Sequence, residues 1–212
     1  MFGLVARSRN MDKNFPLDVN QITPDAAYGL ESHNKPAFKE SIGRALKNRI
    51  LQSLARSMPG ATGFRIWAHR QRGVKIGERV HIASDVMMET AYPQWISIGN
   101  DVQVGIRCLI IAHIHSLLPH EEDLSNYVSV KIEDEVYLGA GSIILPNVTI
   151  GRGAVITAGS VVTRSIPAMT MVQGNPAKAV ARCGIPLLWD TPIKKFYLNL
   201  KPIPRAARDT DR

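Results

Sequence analysis

From Ile132 onward an aliphatic side chain returns at every sixth position: Ile132, Leu138, Ile144, Ile150, Ile156 and Val162. Four residues after each comes a second column that is small or β-branched: Val136, Ser142, Val148, Ala154, Ser160 and Ile166. Glycine often follows the aliphatic, at Gly139 and Gly151. A period of six matches neither the 3.6 of an α-helix nor the 2 of a strand. It is a repeat, and it predicts short flat segments joined by tight turns, each pointing one large aliphatic inward. No segment buries its apolar side alone, so successive coils stack and share one core.

The same phase runs backwards through Ile76-Gly77, Ile82-Ala83, Ile98-Gly99, Val104-Gly105 and Ile110-Ile111, with an irregular step around Glu89–Trp95. The period is lost over residues 116–131, which reads as an excursion loop inside a repeat domain spanning 73–183. Ahead of it, residues 1–36 are polar, carry Pro16, Pro24 and Pro36, and read as an extended arm. Within a helical segment over 37–72, Phe38, Ile42, Ala45, Leu46, Ile50, Leu54 and Ala55 recur at helical spacing up to Pro59-Gly60. The expectation is a helix that caps the open end of the coil with its apolar side and turns Lys and Arg to solvent. Membrane-surface binding is the alternative reading of such a basic amphipathic helix. Residues 184–212 form a tail with Trp189, Phe196 and Tyr197 and room for a short helix.

Composition narrows the classes. The 212 residues suffice for a real core, and no apolar run is long enough to span a membrane. Met-Phe-Gly-Leu-Val is too short for a secretory signal. Cys108 and Cys183 have no CxxC spacing and fit a reducing, cytoplasmic setting, with Cys108 as a small core hydrophobe. The net charge of +8 raises nucleic acid as a partner. The cations are spread rather than patched among aromatics, so nucleic acid is set aside, and an anionic small-molecule cofactor accounts for the excess equally well. For chemistry, CLIIAHIHSLLPHEE supplies His113, His115 and His120 where the coil opens into the loop. His113 and His115 alternate around Ile114, so an extended segment points both to one side, where an imidazole near neutrality serves as a general base.

The hexapeptide run, the histidine segment before the loop and the ending Gly174-Asn175-Pro176-Ala177-Lys178 together resemble the left-handed parallel β-helix acyltransferases. The branch they are most similar to is the acetyl-CoA-dependent O-acetyltransferases of maltose, galactosides, nodulation factors and surface polysaccharides. The resemblance covers Gly73 to about Arg182, and the left hand of the coil comes from it alone. It implies an all-β left-handed β-helix, a homotrimer with sites between subunits, and acetyl-CoA as acyl donor, with no metal. It implies His115 as the catalytic base, with His113 a substrate-binding neighbour. Asp85 stands where the family's acceptor-pocket asparagine falls. With Glu89 nearby, Asp85 orients a histidine or binds hydroxyls. For the cofactor it implies Tyr137 beside the active site and the backbone amides of Gly139, Ala140 and Ala158 along the pantetheine arm. Thr163 and Arg164 fall near the adenine, and Lys178 and Arg182 near the 3′-phosphate.

The implied reaction is direct transfer to a hydroxyl of a sugar, glycan or related small molecule, without a cysteine nucleophile. Three rivals remain. A γ-class carbonic anhydrase would hold zinc with His115 and His120, at H-x4-H spacing, and His81. A β-helix scaffold would do no chemistry. An acyl-carrier-protein-dependent enzyme would carry a long apolar acyl slot.

Overall fold

The computed structural model describes residues 41–113 and 128–204, which lie in one compact unit. Short strands wind around a prism with three sheet faces, three strands to a coil. The first face stacks β1 (Lys75–Ile76), β4 (Ile96–Ile98), β7 (Val130–Ile132) and β10 (Val148–Ile150). The second stacks β2 (His81–Ile82), β5 (Gln103–Val104), β8 (Tyr137–Leu138), β11 (Val155–Ile156) and β13 (Thr170–Gln173). The third stacks β3 (Met87–Met88), β6 (Leu109–Ile110), β9 (Ile143–Ile144) and β12 (Val161–Val162).

Registration within each face is parallel, and it places like on like. Ile76 pairs with Ile98, Ile98 with Ile132, and Ile132 with Ile150. Val104 pairs with Leu138 and Leu138 with Ile156, while Met88, Ile110, Ile144 and Val162 form the third column. Apart from Ile76, which is half-buried at the first coil, these side chains are buried, as are Val136, Ser142, Val148, Ala154 and Ser160 beside the corners. The six-beat rhythm is therefore one turn of a triangle edge. Ile166 is an exception: it bridges to Ile150 in a large-aliphatic column, because the corner that precedes it is shorter than the others. Beyond Pro167, β13 continues the second face, and an antiparallel hairpin follows through Gly174–Ala177 into β14 (Lys178–Cys183) and then β15 (Leu200–Pro202).

The irregular step and the excursion leave from the same edge of the prism, between the third face and the first. In the first coil the detour runs from Glu89 to Trp95 and includes the 3-10 turn Pro93–Trp95. In the second coil the strand of the third face ends at Ile110 and that of the first face begins at Val130, so Val130 and Lys131, expected in the loop, belong to the stack.

Helix α1 (Ile42–Ser57) and helix α2 (Phe64–Arg72) close the first coil, and here the sequence expectation is overturned. The side of α1 turned to the coil is polar. Asn48 donates to the Thr90 carbonyl at 3.1 Å, and Gln52 donates to Val86 O at 2.9 Å while accepting from the Met88 amide at 3.3 Å. Ile42, Leu46, Ile50 and Leu54 face outward. The physical reason is that the first coil ends in unpaired backbone groups, which amide side chains satisfy and aliphatic ones do not.

Beneath α1, the buried guanidinium of Arg72 donates to the carbonyls of Met88 and Glu89 and to Gln52 Oε1, and faces His69 Nδ1 at 2.9 Å. Burial first, and the Arg72 charge second, push the His69 pKa down to about 3. A cation that donates to Nδ1 keeps this imidazole neutral in the folded protein, whereas it protonates near 6.5 once unfolded. Below pH 6.5 the unfolded chain therefore binds the extra proton, and stability falls with pH until the folded pKa near 3 is reached. A loss of about 2 kcal/mol between pH 7 and pH 5 is expected. Urea unfolding at the two pH values checks it, with His69→Gln flattening the dependence.

The tail lies over the outer side of the second face. Leu187 accepts from Gln103 Nε2 at 3.1 Å, and Trp189 sits 5.0 Å from the His81 ring. Tyr137 joins Val155, Met171, Cys183, Ile185, Leu187 and Phe196, the last from helix α3 (Ile193–Leu198), in a second apolar cluster.

Candidate active site

Glu89 ends the strand of the first coil and His113 follows the strand of the second, at the same edge. The stacked register brings them together: Glu89 Oε2 lies 2.6 Å from His113 Nδ1. The Glu89 side chain is only 6% exposed and that of His113 17%. The carboxylate is fixed on its other side by the amides of Thr90 and Ala91, which donate to Oε1 at 2.7 and 2.8 Å. Arg72 holds the Glu89 carbonyl from beneath. The ring of His113 meets Tyr92 edge-on at 4.9 Å, and Tyr92 in turn stacks on Trp95 at 4.1 Å. With Nδ1–H donating to the carboxylate, the neutral ring carries its lone pair on Nε2.

His115 and His120 lie outside the described residues. Among the described residues Asp85 reaches no histidine. It occupies a left-handed corner (φ 58°) and is held by Arg56 at 2.6 Å and Arg107 at 3.4 Å. The hydrogen bond from Arg56 holds its carboxyl below the ordinary range. Among the described residues, Glu89 rather than Asp85 is the acid that faces the His113 imidazole. His81 is far from this edge in the topology, lying on the second face under Trp189.

A second assembly sits two coils further along the same edge. A cleft of about 260 Å³ is lined by Arg164, Ser165, Ile166, Pro167, Val172, Ala177, Lys178, Ala179, Arg182 and Ile203. Three cations and no carboxylate line it, and that chemistry suits a phosphate group. The edge positions Arg164, while the hairpin after Gly174 returns Lys178 and Arg182 beside it. Arg182 donates to Thr170 Oγ1 at 2.6 Å, which fixes its direction. Thr163 is exposed next to the cleft without lining it.

The remaining positions divide. Ala140 and Ala158 are exposed at successive coils, and the buried Gly139 lies directly against the Ala158 amide. The Gly139 amide itself donates to Ile156 O at 2.8 Å, so this position contributes a missing Cβ rather than a donor. Tyr137 is half-buried and packed in the cluster under the tail. Cys108 is fully buried, 3.2 Å from Gly139 O and 3.3 Å from Ser142 Oγ, and burial raises its pKa, as suits a core thiol. Tyr92, Trp95 and Arg72 escaped the sequence reading. The only signal for the first two was the broken rhythm that carries them.

Comparison with known proteins places these features. Residues 129–164 match the family model described as bacterial transferase hexapeptide (six repeats). A Bacillus subtilis (strain 168) protein named "Putative acetyltransferase YvoF" is 36% identical over 138 residues, 65% of this chain and 77% of that one. A 2,3,4,5-tetrahydropyridine-2,6-dicarboxylate N-acetyltransferase of Staphylococcus aureus (strain bovine RF122 / ET3-1) is 49% identical over 51 residues. That match spans 24% of this chain but only 21% of the relative. Among solved structures, a hexapeptide-repeat-containing acetyltransferase of Vibrio cholerae O1 biovar eltor, complexed with acetyl coenzyme A, superposes with a TM-score of 0.55. It is 24% identical, over 71% of this chain and 92% of that one, and shares the β-helix fold. The stacked hexapeptide coils and the extended likeness to the Bacillus protein agree: this chain belongs to the hexapeptide-repeat acetyltransferases.

Proposed function

We propose that the protein transfers the acetyl group of acetyl-CoA directly to a hydroxyl of a sugar, glycan or related small-molecule acceptor. One observation carries this reading: the histidine segment and the three-cation cleft share an edge of the prism. Neighbouring strands lie about 4.8 Å apart, so two coils separate the two places by roughly 10 Å. An extended pantetheine arm spans such an interval, with the phosphates of CoA at Arg164, Lys178 and Arg182. The exposed corners of Ala140 and Ala158 lie on the neighbouring edge, where small side chains let a chain approach the backbone.

His115 is the general base in this reading. It takes the proton of the acceptor hydroxyl as the oxygen attacks the thioester carbonyl, an amide near Ala140 meets the oxyanion, and the C–S bond breaks. The CoA thiolate leaves and recovers the proton. The Glu89–His113 pair binds the acceptor, and the functional unit is a homotrimer with sites between subunits, in the cytoplasm. A second reading has its own observation: Glu89 fixes Nδ1 of His113, the arrangement that makes Nε2 a base, so His113 itself takes the proton.

The test is an acceptor screen with acetyl-CoA, following thiol release, on hydroxyl and amine acceptors alike. Release that needs a hydroxyl acceptor and disappears in His115→Ala supports the first reading; loss in His113→Ala alone supports the second. Release indifferent to both substitutions, or confined to amines, overturns the proposal. In the cleft, Lys178→Ala is expected to raise KM for acetyl-CoA about tenfold with kcat little changed, an effect that shrinks as salt is added. Initial rates at varied acetyl-CoA and ionic strength check it.

A further inference from the structure

Helix α1 sits on the coil by its polar side, so its aliphatic side turns outward. Ile42, Leu46, Ile50 and Leu54 are 87, 59, 49 and 40% exposed. They follow one another at intervals of four, which on a helix draws a single continuous stripe. A stripe of four large aliphatics in water needs a reason, since isolated exposed apolar residues are ordinary but contiguous ones mark a contact surface.

The charges on the same helix indicate what the contact is. Its sequence, IGRALKNRILQSLARS, has Arg44, Lys47, Arg49 and Arg56 and no acidic residue. At 100° per residue, Lys47 falls on one border of the stripe and Arg49 on the other. Arg56 is matched by Asp85, whereas Lys47, which donates to the Gln71 carbonyl at 3.0 Å, and Arg49 are both exposed along the borders of the stripe. An apolar stripe flanked by cations is complementary to an anionic lipid bilayer, with acyl chains for the aliphatics and headgroups for the charges. A second protein surface would need an acidic rim around an apolar groove. Helix α1 is too short and too charged to cross a bilayer, and no described helix is long and apolar enough to do so.

We infer that α1 docks the protein flat against an anionic membrane surface through Ile42, Leu46, Ile50 and Leu54, with Lys47 and Arg49 on the headgroups. The polar anchors Asn48 and Gln52 are what make this possible: they fasten the helix to the prism without using its aliphatic side. The docking stripe lies on the side of α1 opposite Asn48, the residue that holds the Thr90 carbonyl next to Glu89, and it requires no particular acceptor.

The test is co-sedimentation of the full chain with vesicles of phosphatidylcholine alone and with about one third phosphatidylglycerol. The expected result is binding to the anionic vesicles, about tenfold weaker on phosphatidylcholine and in high salt. Leu46→Glu/Ile50→Glu is expected to reduce binding at least about tenfold, with unchanged circular dichroism and unchanged thiol release on a soluble acceptor. Lys47→Glu/Arg49→Glu is expected to weaken binding to the anionic vesicles about tenfold and to leave the phosphatidylcholine baseline unchanged; full anionic binding in that variant would overturn the role of the charges. Wild-type protein that stays in the supernatant with anionic vesicles overturns the inference. So does binding that survives Leu46→Glu/Ile50→Glu, or a fall in oligomer mass in that variant by light scattering, which would give the stripe to a second copy of the chain.

Discussion

Glu89→Gln is expected to lower kcat/KM for the acceptor about a hundredfold while leaving the fold intact. The isosteric amide keeps the two short contacts that secure the side chain and gives up only the long one from the Ala112 amide to Oε2, at 3.4 Å. Its oxygen still accepts from Thr90 and Ala91, which bond to Oε1 in the native protein. Its nitrogen replaces Oε2, the atom 2.6 Å from His113 Nδ1. A donor there cannot accept Nδ1–H, so the imidazole flips its tautomer and presents Nε2–H where it had presented a lone pair. A base becomes a donor without any change in packing. The partition between the two constants then assigns His113. A loss in kcat makes it the base; a loss in KM makes it an acceptor ligand beside His115. Glu89→Ala goes further, because it orphans the Thr90 and Ala91 amides and frees the detour, so its melting temperature should fall where that of Glu89→Gln does not. Unchanged kcat/KM in Glu89→Gln, with normal circular dichroism, would remove the pair from the reaction.

The contrast between Glu89 and Asp85 shows what a one-dimensional reading resolves. The rhythm Ile132, Leu138, Ile144 is visible because every turn of the triangle repeats the same demand for one inward aliphatic, and each instance supports the others. Contacts between coils carry no such redundancy. Glu89 meets His113 because both leave the prism at one edge, a fact set by where the detours sit rather than by any motif. Asp85, at a position matched to a family asparagine, is instead taken up by Arg56 from α1, a partner 29 residues away in sequence.

The pattern of helix α1 misleads for a related reason. Its periodicity is genuine, but periodicity says only that two sides differ. Which side is buried depends on what it faces. The open end of the first coil presents backbone carbonyls and amides as well as its core, so Asn48 and Gln52 win the contact. The tail is a further case: Trp189 and Leu187 cover His81, Gln103 and Tyr137. The Arg164–Lys178–Arg182 grouping, by contrast, was legible from the resemblance, and one cleft gathers it. The hairpin does this by running antiparallel to β13, so that residues after the Gly174 turn come back alongside the last corner.

Gly139→Val is expected to be among the most destabilising single substitutions in the chain, by about 3 kcal/mol or more. A Cβ at Gly139 would lie 2.5 Å from the Ala158 amide nitrogen and 2.7 Å from Ile156 O. Both are backbone atoms of the next coil, and Ile156 O already accepts the Gly139 amide at 2.8 Å. The coils cannot separate locally to admit a side chain, since that hydrogen bond holds them at the strand spacing. The same crowding recurs at Gly105, whose Cβ would meet Ala140 N at 2.7 Å, which is why glycine follows the inward aliphatic so often. Gly141 is the control, two residues away and opposite in cause. Nothing lies within 4 Å of its Cβ, but its φ is +67°. Asparagine accepts that conformation, as Asn147 does at φ 60° on a later corner, so Gly141→Asn should shift stability by less than about 1 kcal/mol. Urea midpoints of the two variants decide it. A Gly139→Val protein as stable as Gly141→Asn would mean that the corners give way sideways, and that the glycine column is not a steric requirement of the stack.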